Sequence, residues 1–459
     1  MLFSSLTFLL IFLPLCLFFY FIIKDIRYKN IILLIFSLIF YAWGEPIYIF
    51  LMIFSILITY IFGLLINNSK HKKIYFIIGI VLLLLNLLFF KYSNFIIDNI
   101  NNIFNLNIKS LNLPLPIGIS FYTFQALSYL IDLYRGKFKV QKNILNLALY
   151  ISLFPQLIAG PIVRYEQVER QINYREETLE KVVTGIKRFI IGLSKKVILA
   201  NSMALICDTI YSNYSNYGTL ILWVAAITFS FQIFFDFSGY SDMAIGLGKI
   251  FGFDFLENFN YPYISKSITE FWRRWHISLS SWFKDYIYIP LGGSHCSTLK
   301  NIRNICIVWL LTGLWHGANW NYIIWGIYFG ILLLLEKFIF KKYIDKTPNI
   351  IRHLVVLFLI IISWTIFKIE DINSLLIILK NMLIFKSDNI SLFIHTNSSL
   401  FVNVLFIIPC IFFSIEHKNK SINNIIIYNI TNICYFILFI INIVFIIGSN
   451  YNPFIYFRF

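Results

Sequence analysis

Two histidines stand in surroundings that suit proton-transfer chemistry. His316 lies in Trp315-His316-Gly317, within a stretch, 304–335, that holds no Asp, Glu, Lys or Arg. An ionisable group in so apolar a run is costly against lipid and points to function by default. Held neutral there, an imidazole keeps a nitrogen lone pair with which to take a proton from a hydroxyl. Gly313 and Gly317 flank it and would admit either a ligand or a neighbouring backbone. On the residues alone, a satisfied core histidine remains the competing description. His276 lies in Phe271-Trp272-Arg273-Arg274-Trp275-His276-Ile277-Ser278, the start of a segment running to Tyr286. Taken as one helix, 271–286 puts Trp272, Trp275, Leu279, Trp282, Phe283 and Tyr286 on an aromatic face. Arg274, Ser278, Ser281 and Asp285 form a polar stripe on another side, with His276 between the two. Such a helix lies in the membrane interface or re-enters to line a funnel.

The elements that must position these residues are membrane helices. Of the 459 residues, 59% are hydrophobic and 13% charged, which excludes both a soluble globular protein and a disordered one. Uncharged runs at 1–23, 46–69, 209–235, 304–335 and 421–457 each reach spanning length. With shorter apolar runs they predict roughly ten to twelve segments in one integral domain, 1–459. Its parts are N-terminal helices at 1–113, a core at 114–340 with both histidines, and C-terminal helices with an aromatic tail at 341–459. The first run reads as a retained helix rather than a cleaved signal, because no basic residue precedes it. The net charge of +16 sits in short clusters near segment ends, which suits membrane orientation and not nucleic-acid binding. Both ends of 143–163 are basic, so a broken or re-entrant segment is expected around Phe154-Pro155-Gln156 and Gly160-Pro161. Asp236 and Asp242 should face the protein interior, the interface or a water-filled cavity. The six cysteines are scattered singly, and no zinc-type spacing or nucleotide loop is visible, so no metal site is expected.

The two histidine stretches resemble the signature blocks of the membrane-bound O-acyltransferase family. The likeness is to its bacterial branch, which includes alginate and peptidoglycan O-acetyltransferase membrane subunits and the teichoic-acid D-alanyl transfer protein. Phe40-Tyr41-Ala42-Trp43-Gly44, the block from Pro116 to Gln125, Phe154 to Ile162 and Phe235 to Ala244 resemble the same branch in the same order. The resemblance implies an all-α polytopic ring of helices around a central tunnel, with re-entrant and amphipathic helices. It implies that His316 is the catalytic base and that His276 holds the thioester carbonyl or passes the proton, a positioning role being preferred. Arg273, Arg274, Asp285, Trp315 and Asn319 are neighbours that would position substrate.

It further implies an acyl donor used as substrate, acetyl-CoA or an acyl carrier protein thioester, with no permanently bound cofactor. The expected setting is a bacterial plasma membrane. The expected partners are the lipid bilayer, a separate extracytoplasmic acyltransferase of SGNH-like or similar kind, and an extracellular glycan as final acceptor. The ending Asn452-Pro453-Phe454-Ile455-Tyr456-Phe457-Arg458-Phe459 resembles the aromatic tail of polymer-acylation systems, which would make Tyr456 an acyl relay. An interfacial aromatic belt is the plainer description of that tail. D-alanyl transfer to teichoic acid is the alternative within the family. A transporter or flippase is the alternative outside it, although no paired internal repeat is visible.

Overall fold

Apolar runs of this length can satisfy their backbone in lipid only as helices, and helices are what they form. The computed structural model of the protein describes residues 1–111, 113–344, 346–416 and 425–448. Among these residues there is no strand. Eight helices among the described residues are long and apolar enough to cross a membrane, and Phe8–Ile22, Ile372–Leu383 and Val402–Phe413 are shorter apolar helices. Tyr456 and the rest of the aromatic tail lie outside the described residues. The described residues form two compact units, one of Met1–Phe189 with Tyr240–Leu256, the other of Ile190–Gly239 with the described part of 257–448.

In the first unit, Ile35, Ile39, Phe54, Ile61, Leu85 and Leu88 are exposed along the long helices Ile26–Gly44, Ile49–Asn68 and Lys72–Phe104, a surface suited to lipid. The segment 143–163 is broken. Helix Ile144–Ser152 stops, Phe154–Leu157 makes a single turn, and the backbone then continues without helix, buried throughout 151–163. A polar knot closes this unit. Glu177 accepts from Lys29 Nζ at 2.8 Å, while Arg175 donates to the Phe251 carbonyl at 2.9 Å and to Asn30 Oδ1 at 2.7 Å. Asp242, one of the two acidic residues expected to face the interior, the interface or a water-filled cavity, pairs with Arg188 at 2.9 Å.

The second unit holds both histidines, and here two expectations give way. The uncharged run 304–335 is not one span: helix Thr298–His316 ends, the chain turns through Gly317-Ala318-Asn319, and helix Trp320–Leu334 returns against it. The return is close because Gly313 and Gly326 face each other. A Cβ on Gly313 would collide with the Tyr322 carbonyl, and one on Gly326 with the Trp309 carbonyl. Of the two uses the sequence left open for Gly313, the neighbouring backbone is the one observed. Small residues at a helix contact allow such approach where no hydrophobic force drives helices together.

The second correction concerns 271–286, which is not one helix. Ile268–Arg274 and Ile277–Phe283 are separate short helices, followed by a wider turn of helix at Lys284–Tyr288. At the break Trp275 is extended and His276 is left-handed, with φ 44° and ψ 56°. The break is held from outside the segment. Asn260 N donates to the Arg274 carbonyl and Ile277 N to the Asn258 carbonyl, each at 2.9 Å, which draws both groups into tertiary bonds. The first short helix is anchored at its start by the Glu336 carboxylate, which accepts from Ile268 N at 2.6 Å, from Thr269 N at 3.1 Å and from the Thr269 hydroxyl. Glu336→Ala leaves those donors to find new partners, and a loss of about 1–2 kcal/mol is expected, the range of a lost helix cap. Thermal unfolding in detergent checks this, with Glu336→Gln expected to show a smaller loss because its amide oxygen still accepts.

Candidate active site

The residues predicted to share one helix face are divided among the two short helices, the break between them and the wider turn. Trp272, Trp275, Leu279, Trp282, Phe283 and Tyr286 are all buried. Trp275 packs on Trp364 with ring centroids 4.7 Å apart, and Trp272 on Trp309 at 4.7 Å and Phe329 at 4.9 Å. His276, at the break, is only 1% exposed. Its ring meets Phe237 edge-on at 4.5 Å, and its Nδ1 lies 3.1 Å from Asn258 Oδ1. Burial pushes its imidazole down to about 3, so the ring is neutral at any physiological pH.

His316 is the last residue of its helix, where the extended backbone of Gly317 begins. It is buried among three aromatic rings: Trp315 and Trp325, each at 4.8 Å, and Phe367 at 5.2 Å, all roughly perpendicular to it. The Trp315 ring also meets His276 at 5.9 Å, so a single indole touches both histidines. The site is therefore buried and aromatic, a setting in which hydrogen bonds and charges act more strongly than in water.

Beside it lies a cavity of about 870 Å³, walled by Trp272 and Arg273 of the first short helix, Leu279 and Ser280 of the second, and Trp309 and Thr312 of the His316 helix. Five cations line it: Arg273, Lys284, Lys337, Lys341 and Arg352. Glu336, the acidic lining residue, spends its oxygens on the helix cap. This positive wall suits a ligand carrying phosphates.

The remaining predicted residues separate. Trp315 stands between the histidines, and Arg273 is exposed and lines the cavity. Arg274 is tied to Glu270 at 3.0 Å and to the Asn260 carbonyl at 3.1 Å, bonds that hold the fold. Asp285 is half-buried on the wider turn, and Asn319 is half-buried at the start of helix Trp320–Leu334. Sequence reasoning did not single out Asn258, Trp325 or Phe367. Trp325 stands in the same uncharged stretch, 304–335, nine positions after His316, but nothing in the spacing announces that the chain turns back to bring it there.

Fold and site together define a multi-pass, all-helical membrane protein in which two buried histidines share an aromatic cluster beside a cation-lined cavity. Residues 139–379, which include both histidines, match the membrane-bound O-acyltransferase (MBOAT) family. A probable alginate O-acetylase of Pseudomonas aeruginosa is 43% identical over 381 residues, 81% of this chain and 73% of that protein. The peptidoglycan O-acetyltransferase of Helicobacter pylori is 35% identical over 424 residues, 83% of this chain and 80% of that protein. The teichoic acid D-alanyltransferase of Bacillus subtilis is 34% identical over 248 residues, 51% of this chain and 62% of that protein. The chain belongs to the membrane-bound O-acyltransferase family.

Proposed function

We propose that this protein moves an acetyl group from a thioester donor, acetyl-CoA or an acylated carrier protein, across a bacterial plasma membrane for O-acetylation of an extracellular polysaccharide or cell-wall glycan. The observation that carries the reading is the buried aromatic cluster around His316, linked through Trp315 to His276, in a chain whose extensive relatives are named as O-acetylating proteins. Similarity to the D-alanyltransferase covers only 51% of the chain, against 81% and 83% for the other two, which favours acetyl over D-alanyl. The cations around the cavity support a phosphate-bearing donor, for which CoA and a carrier's phosphopantetheine arm both qualify.

In the proposed step a hydroxyl gives its proton to His316 as its oxygen bonds to the thioester carbon. The tetrahedral oxyanion collapses with cleavage of the carbon–sulfur bond, and the imidazolium returns the proton to sulfur, leaving an ester and a thiol. The attacking hydroxyl is that of Tyr456, which carries the acetyl group onward to a separate extracytoplasmic transferase. Membranes incubated with radiolabelled acetyl-CoA or with acetylated carrier protein test this. Acid-stable, base-labile label is expected on the wild-type protein and is expected to be absent from Tyr456→Phe. Label that survives Tyr456→Phe would remove the relay and keep the transferase. Failure of both donors to yield any acetyl ester, on protein or glycan, would overturn the reading.

A further inference from the structure

One oxygen atom sets the chemistry of His276. Asn258 Oδ1 accepts the backbone N–H of Ser278 at 3.2 Å and the Ser278 hydroxyl at 2.9 Å, and His276 Nδ1 stands 3.1 Å from the same atom. A backbone N–H can only donate, so this end of the amide is oxygen and not nitrogen. Facing an acceptor, Nδ1 must carry the ring's proton; without it, two lone pairs would oppose each other at 3.1 Å. The Ser278 hydroxyl, 3.5 Å from Nδ1, is already committed to Asn258 and leaves that assignment unchanged. A neutral imidazole has one N–H, so Nε2 is bare. That nitrogen is buried and meets no hydrogen-bond partner among the described residues.

The backbone adds a second, independent sign. His276 is one of three residues other than glycine with positive φ among the described residues. A side chain held in this region costs on the order of 1–3 kcal/mol and persists where the surroundings impose it, often at functional sites. Here the imposing group is again Asn258, whose carbonyl takes the Ile277 N–H at 2.9 Å. One residue thus fixes both the direction of the ring and the nitrogen that bears the proton. Buried polar atoms are normally satisfied. A ring held at this cost with its lone pair unmet is arranged for a group that arrives.

We propose that Asn258 is a positioning residue that locks His276 in the Nδ1–H form, and that His276 Nε2 accepts a hydrogen bond from an O–H or N–H of a reactant. Two sources share that chemistry: the attacking hydroxyl, and the amide N–H of a pantetheine-type arm reaching from the cavity. The two short helices that wall the cavity are the ones His276 joins. The proposal rests on the acyl-transfer reading and narrows it. A bare Nε2 has no proton to donate, so His276 does not hold the thioester carbonyl, and the group that stabilises the oxyanion lies elsewhere.

The test reads the tautomer directly and without substrate. Protein labelled with nitrogen-15 at histidine is placed in lipid vesicles, and the His276 signals are isolated as the difference from His276→Gln. Protonated Nδ1 with unprotonated Nε2 is expected in the wild type and in Asn258→Asp, where a carboxylate oxygen replaces the amide oxygen. Loss of that pattern is expected in Asn258→Leu. For acyl transfer, Asn258→Leu is expected to lower kcat/KM roughly 10- to 100-fold, the usual size of an outer-shell loss at a histidine, with Asn258→Asp recovering most of it. A rise in KM for the thioester assigns the arm's amide, and a fall in kcat at unchanged KM assigns the hydroxyl. A protonated Nε2 in the wild type overturns the proposal even if transfer proceeds. A correct tautomer with no acyl transfer from any donor overturns the underlying reading instead.

Discussion

His316→Ala is expected to lower acetyl transfer by about 10³-fold while leaving membrane insertion intact. Removing a general base typically costs 10²- to 10⁴-fold. The middle of that range is the value expected here. Trp315, Trp325 and Phe367, which pack on the His316 ring, carry no basic atom of their own. The variant also empties part of an aromatic cluster, so loss of activity by itself would not separate chemistry from packing. His316→Gln does so: it fills similar space, has no basic nitrogen and is expected to be as inactive as the alanine variant but closer to wild type in thermal unfolding. Both are read by ester formation from labelled donor and by unfolding midpoint in detergent. Retention of more than a tenth of wild-type transfer by His316→Gln would assign the base elsewhere.

How far these residues were legible in the sequence depended on whether the deciding force was local. The uncharged length of 304–335 marked His316 as costly, because that cost follows from composition alone. The fold back at Gly317 was not legible, since an apolar run long enough for two helices gives the same composition as one span with a tail. The break at Trp275–His276 was hidden for a sharper reason. Both short helices keep the three-and-four spacing of aromatic residues, so periodicity runs through the break without a mark. What cuts the helix is Asn258 and Asn260, whose backbone groups take up Ile277 N and Arg274 O. Those bonds join segments that the sequence sets well apart, and neither asparagine sits in a pattern that announces it. Gly313 shows the same limit in milder form: its need for close approach was legible, but not that the partner is the backbone near Gly326.

Asp236 carries this reasoning to a stability effect. Sequence marked it as an acid beside an apolar run, and the structure supplies its partner: Lys196 Nζ at 2.7 Å, with side-chain exposures of 2% and 1%. Lys196 also donates to Asn201 Oδ1 at 3.1 Å. Asp236→Ala strands a buried ammonium, and removing one partner of a buried pair costs about 3–5 kcal/mol. Replacing both charges at once behaves differently, because neither ion then has to leave water and apolar side chains of similar size pack in their place. Lys196→Met with Asp236→Leu is therefore expected to unfold close to wild type, and Lys196→Met alone to resemble Asp236→Ala. Unfolding midpoints and the yield of monodisperse protein in detergent, measured for wild type, Lys196→Met, Asp236→Leu and the double variant, make the double-mutant cycle, with Asp236→Leu expected to be destabilised as Asp236→Ala is. A double variant as unstable as either single one would mean that the pair is not what holds these two positions. A double variant that folds as well as wild type yet transfers no acetyl would mean that the charges serve the reaction. The pair lies in the unit that holds both histidines, so the stability cycle and the transfer assay have to be run on the same preparations.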